Sequence, residues 1–341
     1  MLGELRELVL VPGVSGYEER VREFIKGRVE RIVDAGCVRV DSIGNLIVEI
    51  GCKDEMARRI ALIAHMDELG LVVTKIESDG RVAFRKLGGI DDRVLVGTYW
   101  EILTERGVVN GVVGLRPPHL ALGEQPKIVP WHELRIDVGT SSREETEALG
   151  VKVLDPIVFK KSFVELANGV VSARALDDRF GCIVLLKVLE RVAGLDLPCK
   201  LLFVWSVQEE IGLRGARVIA NTLRPDVVFA VDSFPCCSAL TGDVRLGGGP
   251  VLRVIDRSSI SSPDLVKFVM RVADEAGLPL QWGVTGGGND GSVIQNVGAK
   301  LAVIGVPMKY SHSLVECISL RDLEGLVDVL YRVVERVGEL P

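Results

Sequence analysis

Apolar and polar positions along the chain fall into two textures. Residues 4–11 carry apolar positions at helical spacing and stop at Pro12-Gly13. Ser15, with Glu18 three positions on, has the form of a capping box and predicts a helix from 17 to about 35, closed by Gly36. Residues 38–40 and 45–50 read as short strands around a turn at 42–44. Residues 59–64 form a continuous apolar run, as in a strand buried on both faces, and the run ends at His65-Met66-Asp67. From about 68 to about 170 helical periodicity nearly vanishes. Short β-type runs at 71–76, 82–86, 94–96, 99–104 and 108–113 alternate with glycine turns. A Pro-rich loop follows over 116–132, and Ser141 with Glu144 predicts a short capped helix to 149. After Ser172 the α/β rhythm returns. Helices are expected at 177–193, 212–220, 263–276 and 319–337, and strands at 200–207, 227–231, 280–284 and 300–306. The pattern predicts an α/β body from 1–67 and 172–341, with a small all-β, barrel-like unit inserted at 68–171.

Composition narrows the class. The chain has 341 residues, of which 48% are hydrophobic and 5% aromatic, so its core is large and aliphatic. Net charge is −6, which lacks the basic footprint of a nucleic-acid binder. The seven Cys include no Cys-x-x-Cys pair and read as reduced cytosolic thiols; the neighbours Cys236 and Cys237 read as packing residues rather than ligands. The N-terminus shows no basic segment followed by an apolar one, and no apolar run reaches a membrane span of ~18 residues. A cytoplasmic protein without membrane or nucleic-acid partners is expected.

The charged residues change the picture most. The apolar run 201–207 ends abruptly in Glu209-Glu210, two adjacent acids that repel and lose hydration unless a cation neutralises them. A helix N-terminus would also accept acids there. The rest of the chain decides. Of only four His, His65 and His312 follow buried strands; Asp232 ends another, and Asp177-Asp178 start a helix. Carboxyl ends of strands form the ligand-binding edge of open α/β sheets. Nitrogen and oxygen donors without thiolates suit Zn²⁺, Co²⁺ or Mn²⁺, and this many donors exceed the needs of one catalytic zinc. They fit two metals about 3.5–4 Å apart, bridged by a carboxylate and a water. Asp67, two residues beyond His65, is placed to accept the imidazole's other N–H.

The segments His65-Met66-Asp67-Glu68, Ala175-Leu176-Asp177-Asp178-Arg179, Val207 through Ala216, Asp232 and Tyr310-Ser311-His312-Ser313 resemble the motif set of the tetrahedral (TET-type) dinuclear metallo-aminopeptidases, which include glutamyl and deblocking aminopeptidases. The resemblance spans nearly the whole chain, and its Glu-Glu-Ile-Gly-Leu-Arg-Gly-Ala segment is the most specific part. It implies a mixed-sheet, zinc-exopeptidase-like catalytic domain whose insert is a PDZ-like dimerisation domain. It implies that Asp177 bridges two divalent ions (Zn or Co), that His65 and Asp232 complete one site, and that Glu210 and His312 complete the other. Glu209 is then the general base, with Asp67 supporting His65. Short peptides are the implied substrates, and dimers assembling into a dodecamer the implied homo-oligomer. The bottom-up chemistry agrees: Glu209 takes a proton from the bridging water and passes it to the leaving amine. Three features depart from the pattern or stay open. Asn289-Asp290 stands where Thr-Asp often follows the triple glycine; Cys236-Cys237 is unusual after Asp232; and His119 reads as a solvated loop residue.

Two other readings compete. Another dinuclear amide hydrolase, a carboxypeptidase or deacylase, usually carries its dimer domain between later ligands than His65 and Asp177. A catalytically inactive shell subunit would lack a ligand or the base, and this chain retains them all. A glycosidase reading fails, because that chemistry needs two free carboxyls.

Overall fold

The computed structural model describes residues 1–120 and 127–341. Its centre is an eight-stranded mixed sheet. In spatial order the strands are Val38–Val40, Leu46–Gly51, Lys200–Ser206, Arg59–His65, Val227–Val231, Lys300–Gly305, Val251–Ile255 and Gln281–Val284. The four from Lys200–Ser206 to Lys300–Gly305 run parallel, so their carboxyl ends share one edge. Their continuous apolar character follows from burial on both faces: Ile60, Leu62 and Ala64 join the larger core, while Ala61 and Ile63 join the smaller one behind the sheet. Helix Leu176–Val192 lies in the larger core and is buried along most of its length. Trp205 ties it to the sheet by donating Nε1–H to Cys182 O at 3.1 Å.

Residues 70–159 supply a second, five-stranded antiparallel sheet in the order Val82–Leu87, Gly70–Ile76, Pro156–Phe159, Thr98–Thr104 and Gly107–Val113. It has its own core, in which Trp100 stacks on Phe159 with centroids 3.8 Å apart. Beyond it, Phe163–Glu165 and Val170–Ala173 form a small sheet with Glu316–Ser319 from the far end of the chain. No helix among the described residues is long and apolar enough to cross a membrane.

Several local expectations are corrected. The helix after Ser15 is shorter, Glu19–Val29, and no side chain caps it. Ser15 bonds distant Asp67 instead, and Glu18 bonds the distant Gln208 amide as well as the nearby Gly16 amide. Val94–Val96 is not a strand; the segment holds a 3-10 turn, Asp92–Val94. The short helix Arg143–Ala148 is capped by Ser142, one residue later than expected. Ser319 does not cap the last helix, Leu320–Glu335; Asp322 in that helix accepts the Gly247 and Gly249 amides at 2.7 Å each. Strands Pro156–Phe159 and Val251–Ile255 are additions to the sequence reading.

Candidate active site

Strand register brings the expected residues together. Ser206 pairs with His65, so the Glu209-Glu210 turn emerges beside it, and Asp232 follows the neighbouring strand. Asp177 enters from the start of its helix, and His312 from the loop after Pro307–Met308. His65, Asp177, Glu209, Glu210, Asp232 and His312 all line one cavity of about 260 Å³. The glycine run contributes Gly286, Gly287 and Gly288 to the cavity lining. Gly287 has φ +90, a conformation glycine adopts without a Cβ penalty.

The imidazoles show how the site is directed. His65 is 3% exposed. Its Nδ1 lies 3.1 Å from Asp67 O, and its Nε2 lies 3.4 Å from Asp177 Oδ1. His312 Nδ1 lies 3.2 Å from Gly89 O, while Nε2 is 3.8 Å from Asp177 Oδ2 and 3.6 Å from Glu210 Oε2. With each Nδ1–H given to a backbone carbonyl, each Nε2 lone pair faces carboxylate oxygens. Acceptors that face each other need a cation or a proton between them. Asp177 Oδ1 is buried without any hydrogen-bond donor. His65, Asp177 and Asp232 offer donor atoms within 4.8 Å of one another, as do His65, Glu209 and Glu210. The donor set is all nitrogen and oxygen and fits divalent zinc or cobalt.

Electrostatics report the same shortage of positive charge. Burial pushes Glu209 well above the usual carboxyl range, and Glu210, Asp232 and Asp290 push the same way while His65 opposes. Burial raises Glu210 as well, and raises Asp232 to about 7 against the pull of Arg253. Asp177 goes the other way: burial would raise it, but His65, His312 and the Ser233 hydroxyl hold it below the usual range. Burial would lower His65, yet the Asp177 and Asp67 carboxylates raise it well above 6.5. Carboxyls driven toward protonation around two imidazoles fit a site that takes positive charge.

Asp67 is fully buried outside the cavity and acts as a junction. It accepts the Glu209 amide at 2.9 Å, the Glu210 amide at 3.2 Å and the Ser15 hydroxyl at 2.5 Å, and lies 3.5 Å from His65 Nδ1. Asp178 does not face the cavity; it accepts the His65 amide at 3.3 Å and the Gly181 amide at 3.2 Å. His119 is exposed in a 3-10 turn and does not line the cavity. Residues 121–126 of the Pro-rich loop lie outside the described residues. Cys236 is half-buried beside Phe234, and Cys237 is exposed; the neighbouring Pro235 lines the cavity, while they do not.

Sequence reading missed several supports. Ser233 and Ser311 donate to Asp177 Oδ2 at 2.9 and 3.2 Å. Their adjacency to Asp232 and His312 was the available signal. Buried Glu316 accepts the His312 amide at 3.0 Å and the Asp177 amide at 3.3 Å, and is paired with Arg174 at 2.9 Å. Buried Arg253 donates to Ser233 O, Gly286 O and Gly288 O, and lies 3.5 Å from Asp232 Oδ2. A lone Arg inside an apolar strand was its signal. Gly89 acts through its carbonyl, which leaves no trace in residue type.

Comparison with known proteins matches this arrangement to a family. A model of the M42 glutamyl aminopeptidase family matches residues 44–329. The Pyrococcus horikoshii TET1 peptidase, which can assemble into a tetrahedron or a large octahedral shell, superposes with a TM-score of 0.92 at 46% identity, over 98% of each chain. The lysyl aminopeptidase of Pyrococcus furiosus is 32% identical over 98% of this chain and 96% of its own length. The glutamyl aminopeptidase of Lactococcus lactis is 33% identical over 92% of this chain and 90% of its own. With its mixed sheet, its strand-edge cavity and this similarity along nearly its full length, the chain belongs to the M42 glutamyl aminopeptidase family and is an aminopeptidase.

Proposed function

We propose that this aminopeptidase releases N-terminal residues one at a time from short peptides, with two divalent cations and Glu209 as the proton carrier. The observation that carries the reading is the pair of imidazoles, each with Nδ1 on a backbone carbonyl and Nε2 aimed at carboxylates. His65, Asp177 and Asp232 would hold one cation, and Asp177, Glu210 and His312 the other, either zinc or cobalt in both cases. When bound, the cations supply Lewis acidity that acidifies a water and polarises the scissile carbonyl.

The chain's own groups do the rest. Glu209, which lines the cavity beside His65 and Asp232, takes a proton from the attacking water and delivers it to the amine that leaves as the C–N bond breaks. Asp67 holds the amides of Glu209 and Glu210 and faces His65, so it keeps all three in register. Capture of a free α-amino group among these acids limits cleavage to the first residue. Residues 68–171 form the PDZ-like unit through which subunits pair, and 1–67 with 172–341 form the catalytic body. Pairs assemble into a cytoplasmic dodecamer. The separate core of the five-stranded sheet, exposed Tyr99 on it and the shell-forming relative support this part.

Chelator-stripped protein tests the reading. Zinc or cobalt added to it is expected to restore hydrolysis of an aminoacyl-anilide as the second equivalent binds, while the N-acetylated anilide stays intact. Activity indifferent to prolonged chelation, or cleavage of the blocked substrate at a similar rate, contradicts it.

A further inference from the structure

Residues 13–18 are far in sequence from the catalytic turn, and their polar side chains cap no helix. We propose that Ser15 and Glu18 are positioning residues for this turn, Ser15 acting through Asp67 and Glu18 through the Gln208 amide. The inference rests on the roles given above to Glu209, Glu210 and His65.

Ser15 is 2% exposed, and its Oγ donates to Asp67 Oδ2 at 2.5 Å across 52 residues of sequence. The same carboxylate takes the Glu209 amide on Oδ1 and the Glu210 amide on Oδ2. Rotating Asp67 would therefore release both acids' backbone and alter the side of His65 that faces it. The Ser15 hydroxyl opposes that rotation. Glu18 is also buried, and its Oε1 accepts the Gln208 amide at 3.0 Å and the Gly16 amide at 2.7 Å. Gln208 has φ 56, a left-handed conformation that a non-glycine residue keeps only where its surroundings over-determine it. Two arms from one segment thus hold the turn, one through Asp67 and one through the strained residue itself.

The segment is anchored on its own account. Gly13 and Glu68 exchange hydrogen bonds at 3.0 Å, Gly13 N–H to Glu68 Oε1 and Glu68 N–H to Gly13 O. Tyr17 donates its hydroxyl to Leu154 O at 2.7 Å. Neither Ser15 nor Glu18 lines the cavity, so neither touches substrate or cation. What they govern is where other groups point.

The test compares Ser15→Ala, Ser15→Thr and Glu18→Ala with the wild type. It reads zinc affinity of stripped protein by competition with a chromophoric chelator, kcat and KM separately, and melting of the metal-free form. Ser15→Ala is expected to weaken zinc binding about tenfold and lower kcat about tenfold at nearly unchanged KM. Its metal-free melting temperature should move little, and Ser15→Thr should recover most of both losses. Glu18→Ala should lower kcat with the zinc count kept. Wild-type affinity and kcat in both alanine variants overturn the proposal, as does a loss that Ser15→Thr does not recover. Zinc uptake by the wild type in the same titration reports separately on the two-cation reading: if it takes up none, that reading fails whatever Ser15→Ala does.

Discussion

Glu209 and Glu210 share a turn and lie close to His65, but their other neighbours differ. Glu210 faces His312 at 3.6 Å, whereas Glu209 meets Glu210, Asp232 and Asp290 as like charges. The proposed division of labour between base and ligand draws on those surroundings. The same balance predicts a pH dependence. Burial, helped by the Asp67 charge, pushes Glu18 up to about 7 from 4.5, so the folded chain holds that proton more tightly than the unfolded one. Its stabilising effect is full below 4.5 and is lost as pH rises through about 7. His65, raised well above 6.5, acts with the same sign: its stability is present below 6.5 and is lost as pH climbs through the folded value. Metal-free protein should therefore melt at falling temperature from about pH 5 to about pH 8, and the gap to the metal-loaded form should widen. Calorimetry in matched buffers checks this; a gap that narrows with pH would count against it. At this scale the cavity-lining His and acids were legible because such residues at the ends of apolar runs have few other reasons to be there. The capping box is a local pattern, whereas Ser15 bonds distant Asp67 and Glu18 divides its bonds between distant Gln208 and nearby Gly16.

Elements were legible where periodicity was strong. The runs at Arg59–His65, Lys200–Ser206, Val227–Val231 and Lys300–Gly305 are apolar on both faces and form the parallel centre of the sheet. Pro156–Phe159 is silent in the sequence, because four residues opened by a proline carry little periodicity; its place beside Gly70–Ile76 and Thr98–Thr104 comes from pairing. Val251–Ile255 was obscured by Arg253, a charge whose partners are nearby Asp256 and the distant carbonyls of Ser233 and Gly288. Strand spacing also constrains the site. A Cβ at Gly305 would sit 1.7 Å from Asp232 O, so the end of one strand fixes the backbone that presents Asp232. Gly305→Ala is expected to cost about 1–3 kcal/mol and to reduce the tightly held zinc below the wild-type count. Thermal melting and metal analysis check it, and wild-type values for both would show that the two strands can part without moving Asp232.

In the whole molecule, the eight-stranded sheet sets the direction of four site-bearing segments, and the five-stranded sheet reaches the cavity through Gly89, whose carbonyl meets His312. The α/β body and the β-rich stretch were visible as a change in texture. The contact of Gly89 with His312 was not, because it runs through a backbone carbonyl. Beneath both lies the claim that adjacent acids, Glu209 and Glu210, have different tasks in one dinuclear centre. The most direct measurement is bound zinc and kcat for Glu209→Gln and Glu210→Gln side by side. Glu209→Gln should keep about two zinc ions per subunit and lose kcat by about 10²–10⁴-fold, while Glu210→Gln should lose zinc. Full turnover in Glu209→Gln, or loss of zinc there equal to that in Glu210→Gln, would contradict the account.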